Sequence, residues 1–253
     1  MPSKARSVSW PEAVLIGLLG AMVLMAWYAL WVGAHSASGH AVFHRHLQMM
    51  PGMARSPVLP ALIFVAGWTL MTVAMMLPTS VPLILMFHRM VRGRRSASWL
   101  VGIVVFGYVA VWVFCGVLLQ FASQILQAGL DRIAGIAAAP TIFGVVLLTV
   151  AGLYQFSSLK YACLDKCRSP LSFLTSRWHG GNETAHALRI GAEHGLFCFG
   201  CCWSLMALMF IVGMGSLAWM LLLGVVMALE KNLPWGVASA LRLDGYCWSP
   251  RLR

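Results

Sequence analysis

A chain of 253 residues that is 60% hydrophobic and 10% charged is not built for water, and its apolar runs exceed the length that crosses a bilayer. The formal charge of +11, from 18 Lys and Arg against 7 Asp and Glu, would suggest nucleic acid in a soluble protein, but in a membrane protein it more often reports Lys and Arg held in cytoplasmic loops, and no nucleic-acid partner is expected. Seven cysteines is an odd number and excludes a complete disulfide framework within the chain. The few carboxylates leave little for general acid–base chemistry, and no phosphate-binding glycine loop, hydrolase triad or paired-carboxylate site is visible, so no enzyme is expected.

The expected fold is all-α: one membrane domain over residues 1–253, a polytopic helix bundle of six transmembrane helices. The first span, 11–33, starts basic like a signal peptide but is too long for an apolar signal core, and reads as an anchored helix. Residues 34–57, AHSASGHAVFHRHLQMMPGMARSP, form an outer loop in which His35, His40, His44 and His46 precede Met49, Met50 and Met53. Imidazole and thioether are the copper ligands that survive where thiols are oxidised. The alternative is an interfacial loop with its methionines on lipid.

The second span, 58–87, carries Met71, Met75 and Met76 ahead of Pro78 and Pro82. The prolines remove backbone donors, so the helix should kink or end there and leave carbonyls free. Methionine in a membrane helix is ordinarily packing; beside a proline break it becomes a candidate ligand. A basic segment, HRMVRGRR (88–95), leads to a third span at 99–126, where Cys115 reads as core. The connection to residue 140 holds Asp131 and Arg132 and is expected at the interface.

The fourth span, 141–159, runs into a cytoplasmic loop, 160–191. Cys163 and Cys167, four apart, share a face if the helix continues past the membrane surface. Lys160, Lys166 and Arg168 lie near them in sequence, and positive neighbours favour a thiolate. Pro170 then stops the helix, and the second half of the loop is expected as an interfacial helix before the fifth span, 192–213. A tight MGS turn and a sixth span, 217–233, follow, with Glu230 near its end; Cys247 lies in the tail.

The fifth span opens with EHGLFCFGCCW (193–203). At 100° per residue His194, Cys198, Cys201 and Cys202 fall within an arc of roughly 100° on one helix face. A soft metal ion needs thiolate and imidazole converging from one side. A single buried cysteine is better read as a small hydrophobe; four ligand-type residues on one face are harder to assign to packing.

Six spans place both termini on one side. Taking it as the cytoplasm puts there Lys4, Arg6, the four Arg of 89–95, the five Lys and Arg of 160–189, Lys231, Arg242, Arg251 and Arg253, leaving Arg45, Arg55 and Arg132 outside. The positive-inside rule decides for this orientation. It also gathers Cys163, Cys167, the His194–Cys202 face, Met75, Met76 and Glu230 at similar depth near the reducing side.

Four blocks, AMMLPTSVP (74–82), LYQFSSLKYACLDKCRSPLSF (153–173), GAEHGLFCFGCCWSLMALMFIVGMGSLAWM (191–220) and ALEKN (228–232), resemble the family of predicted metal-binding integral membrane proteins, a domain-of-unknown-function family. The resemblance runs from about Gly67 to Asn232, and some members are labelled copper chaperones. It implies a membrane helix bundle binding metal at Met75, Met76, Cys163, Cys167, His194, Cys198, Cys201, Cys202 and Glu230. The outer loop is not part of these blocks.

The expected function is therefore copper handling in the membrane, bacterial and cytoplasmic (inner): a bilayer-embedded protein that holds Cu(I) and exchanges it with a protein partner such as a copper enzyme. Zinc is the competing ion, since Cys and His also build tetrahedral zinc sites; the methionines favour copper. Two other readings stand beside it. One is a thiol–disulfide oxidoreductase passing electrons between Cys163/Cys167 and the Cys198–Cys202 group. The other is a structural subunit of a larger complex.

Overall fold

The computed structural model describes residues 9–35, 58–132, 139–178, 181–212 and 216–232. Among them the chain is helical throughout, with no strand: α1 (Trp10–His35), α2 (Val58–Met75), α3 (Leu77–Val91), α4 (Ala97–Arg132), α5 (Ala139–Tyr154), α6 (Ser158–Arg168), α7 (Pro170–Thr175), α8 (Glu183–Val212) and α9 (Leu217–Asn232). The all-α expectation holds. The His/Met pattern from His40 to Met53, the MGS turn and Cys247 lie outside the described residues.

Three helices, α1, the first part of α4 and most of α8, are long and apolar enough to cross a membrane, or four if α2 and α3 form one bent span. The remaining two expected spans, α5 and α9, have 16 residues each. At 1.5 Å per residue that is about 24 Å, short of a hydrocarbon core of roughly 30 Å. Six spans are thus not reached by length and composition among the described residues. Large apolar side chains stand exposed along α1 (Leu24, Tyr28), α4 (Phe106, Phe114, Phe121) and α9 (Leu221, Leu222), an outer surface compatible with lipid.

The break appears at Pro78, where the sequence placed it, whereas Pro82, expected to kink or end the helix as well, lies inside α3. α2 and α3 meet at Met76 with a bend of 63°. Pro78 sits in the first turn of α3, where a missing N–H costs nothing, but it cannot donate to the carbonyl of Ala74. The indole Nε1 of Trp27 on α1 donates to that carbonyl instead, at 3.1 Å. The Met76 carbonyl accepts from the Thr79 hydroxyl at 2.8 Å. The carbonyl that Pro78 frees is therefore satisfied within the bundle rather than left open.

α4 and α8 form the most extensive helix pair. Gly107 on α4 and Gly191 on α8 allow it: a Cβ on Gly107 would lie 2.7 Å from the Leu188 carbonyl oxygen, so only glycine lets these backbones approach so closely. Behind this seam, Trp68 on α2 donates to the Trp112 carbonyl at 2.8 Å. Glu12 at the start of α1 pairs with Arg89 at the end of α3 at 3.0 Å.

Three boundaries differ from expectation. α4 continues to Arg132 and has 36 residues, absorbing the expected interfacial segment. The expected fifth span is the inner part of one continuous helix, since α8 begins at Glu183 and has 30 residues. Most consequentially, the fourth span does not carry on through the cysteine pair. It ends at Tyr154, a turn covers 155–157, and α6 restarts with the Ser157 hydroxyl accepting from the Lys160 backbone N–H at 3.2 Å, an N-cap. α6 can thus take its own direction onto α8.

Candidate metal centre

The centre forms where α8 meets α3, α4, α6 and α9. Cys198, Cys201 and Cys202 are buried on the inward face of α8, as their spacing requires. Cys201 lies 3.4 Å, sulfur to sulfur, from Cys202, and its thiol donates to the Cys198 carbonyl at 3.2 Å. From α6, Cys167 brings its sulfur to 3.9 Å from that of Cys201. Two segments separated by 34 positions thus meet through thiols, as the sequence predicted.

Cys163, one turn earlier on α6, lies over Gly200. A Cβ there would fall 2.6 Å from the Cys163 sulfur, so the missing side chain is what lets α6 sit down on α8. Tyr154 donates to the Gly200 carbonyl at 2.6 Å and fixes the same point. Basic neighbours are expected to favour a thiolate at the Cys163/Cys167 pair, whereas at Cys163 burial pushes the thiol up. The cations near it in sequence are turned elsewhere. Lys160 pairs with Glu230 at 3.0 Å and with Gln155, Arg168 donates to the Glu230 carbonyl at 2.9 Å, and Lys166 is exposed.

His194 is buried one turn before Cys198. Its Nε2 lies 3.2 Å from the Ser80 hydroxyl, its ring stacks on Tyr108 with centroids 5.6 Å apart, and Phe173 of α7 meets it edge-on. Its Nδ1 has no hydrogen-bond partner among the described residues. Met75 and Met76 are buried beside the break, and the Met75 methyl faces Gly224 of α9, 3.4 Å from where a Cβ would stand. The carboxylate of Glu230 is held by Lys160. His35 ends α1, its Nδ1 at 2.8 Å from the Trp31 carbonyl. Cys115 is buried and free, in keeping with a core role.

Two residues entered the centre without being foreseen. Lys231 is 7% exposed; its ammonium donates to the Cys198 sulfur at 2.9 Å and to the Thr79 hydroxyl at 3.0 Å. Tyr108 places its hydroxyl 3.1 Å from the same sulfur. A signal existed for both. Lys231 continues the buried stripe Met220, Leu223, Met227 of α9, and Tyr108 continues Val101, Val104 toward Trp112 on α4; each is a polar group at a core position of the helical repeat.

Among the described residues no group of three or more His, Cys, Asp or Glu stands in the arrangement of a formed metal site. Two sulfur separations can be compared with the spacing of one. Bonds of about 2.3 Å to a shared soft ion place sulfurs roughly 3.8–4.0 Å apart. The Cys167–Cys201 separation of 3.9 Å already matches this, and Cys201–Cys202 at 3.4 Å has to open by a few tenths of an ångström.

A family model described as PpoB2, copper chaperone, matches residues 65–245, and the chain belongs to that family. No curated protein and no solved structure matches it.

Proposed function

We propose that this member of the copper chaperone family holds Cu(I) as cargo between α6 and α8, on sulfurs drawn from Cys167, Cys201, Cys202, Cys198 and Cys163, and passes it to a protein partner. The observation that carries the reading is the thiol contact between Cys167 and Cys201 at 3.9 Å. It joins two helices through thiols, the softest ligand type available. Such a set favours Cu(I) over harder ions. His194, with an unspent ring nitrogen, is the candidate imidazole on the same helix face, and Met75 and Met76, buried at the break between α2 and α3, are the candidate thioethers.

Binding replaces thiol protons by metal, so each ionised sulfur releases one proton as copper enters. Transfer then proceeds by exchange of one sulfur at a time: a partner thiolate adds to the ion as a sulfur of this chain leaves it. Cys163 and Cys167, half-buried on the short helix α6, are the sulfurs a partner meets first. The chain lies in the cytoplasmic membrane of a bacterium with α1, the bent α2–α3 pair, α4, α5, α8 and α9 as six spans. The two shorter helices are accommodated by local thinning of the bilayer. Both termini and α6 face the cytoplasm, where thiols stay reduced.

Elemental analysis of the protein purified without oxygen tests the reading. Copper close to one equivalent in the wild type, lost in Cys201→Ser, is the expected result; a metal-free wild type under copper supply would overturn it. The same contact favours one competing reading, a Cys167–Cys201 redox pair. A disulfide at those positions in protein taken from cells, in place of copper, would select it.

A further inference from the structure

We infer that Lys231 is the built-in counter-ion of the cysteine centre and makes it selective for a monovalent soft cation over a divalent one. This deepens the copper reading above and rests on it. The observation is the placement of a lysine ammonium inside the bundle with a sulfur as acceptor. Lys231 donates to Cys198 at 2.9 Å and to Thr79 at 3.0 Å. Among the described residues it makes no ion pair with a carboxylate. The adjacent carboxylate on α9, Glu230, faces Lys160 at 3.0 Å. Around the Cys198 sulfur that it touches stand the Tyr108 hydroxyl at 3.1 Å and the thiols of Cys201 and Cys202, with His194 one turn earlier on α8.

A cation held away from water needs a compensating anion, and among the described residues the only anions this surrounding can supply are thiolates or a phenolate. Charge counting then discriminates between metals. With a monovalent ion, two ionised sulfurs balance the ion and the ammonium together, and any further sulfur joins as a neutral thiol. With a divalent ion, a third sulfur has to ionise before the set is neutral, and burial opposes each added charge. The N–H···S bond also orients the Cys198 sulfur without occupying all its lone pairs. It can therefore persist when the sulfur binds metal, as supporting hydrogen bonds do around other metal ligands. Thr79 steadies the ammonium from the far side, and Thr79 is itself set by the proline break.

The test uses the full chain, purified without oxygen, in competition between Cu(I) and Zn(II) with a chelator of known affinity for each. The wild type is expected to keep Cu(I) against excess zinc. Lys231→Met, similar in length but uncharged, is expected to lose Cu(I) affinity by about tenfold or more, the usual size of an effect from a residue supporting a ligand, and to narrow the preference over zinc. Lys231→Arg is expected to retain the preference. Tryptophan-fluorescence unfolding checks that the variants are folded. If Lys231→Met does not fold, the wild-type competition and the arginine variant still decide. A wild type that takes zinc as readily as Cu(I), or a folded methionine variant with unchanged affinity and preference, overturns the inference. A wild type that binds neither ion overturns the copper reading itself, which separates the two failures.

Discussion

The indole of Trp27 donates to the carbonyl of Ala74 at 3.1 Å, the very carbonyl that Pro78 cannot serve from within the helix. The contact closes the bend between α2 and α3 and holds Thr79 and Ser80, the residues that reach Lys231 and His194, at fixed depth. Trp27→Phe keeps most of the apolar bulk and leaves the carbonyl unpaired, which is expected to cost about 1–3 kcal/mol. Thermal unfolding in detergent measures it; an unchanged midpoint would show that water or lipid headgroups serve the carbonyl as well as the indole does.

Gly200 is the second backbone position on which the centre depends. Gly200→Ala is expected to lift α6 and weaken copper retention with little loss of helicity, because the new methyl meets the Cys163 sulfur. Cys163→Ala in the same chain should relieve the clash and restore α6 docking. The check is the rate at which Cys167 and Cys201 cross-link under mild oxidation. A rate in Gly200→Ala equal to the wild type would exclude the packing argument.

The ion pair of Lys160 with Glu230 at 3.0 Å, reinforced by Arg168 on the Glu230 carbonyl, ties α6 to the end of α9. Lys160→Met is expected to destabilise the chain by somewhat less than the ~3–5 kcal/mol of a fully buried pair, because the Glu230 carboxylate keeps part of its exposure. Copper retention should fall with it through misplacement of Cys167. Stability lost without change in copper retention would separate the latch from the centre.

Among the cysteines, Cys201→Ser is expected to remove copper and lower the unfolding midpoint of the loaded protein, since a ligand bound only by the native state stabilises it. Cys115→Ser is expected to change copper content not at all, because that thiol is in the apolar core of α4. Equal copper loss in both variants would point to misfolding rather than ligation.

The outer His/Met pattern gives a prediction of a different kind. Replacing His40, His44, His46 and Met49–Met53 together is expected to weaken copper loading at low external copper and to leave loading at high copper and thermal stability unchanged. Loading identical at every concentration would return the loop to an interfacial role.

Much of this was legible in the residues because it is local. Helical periodicity alone puts His194, Cys198, Cys201 and Cys202 on one face, and Pro78 marks the break between α2 and α3 through a donor it lacks. What only the tertiary structure decided are the relations between helices. Adjacent residues on a helix point about 100° apart, and the rotation of α9 about its axis is set by packing on α3, α6 and α8. That rotation turned Glu230, the foreseen ligand, onto Lys160, and its neighbour Lys231 onto Cys198. The turn at 155–157 freed α6 to bring Cys167 to Cys201, and its seat on α8 was set by Gly200 across the interface together with the ion pair of Lys160 and Glu230. No pattern within either segment encodes those choices, because each is the outcome of side chains competing for one buried space.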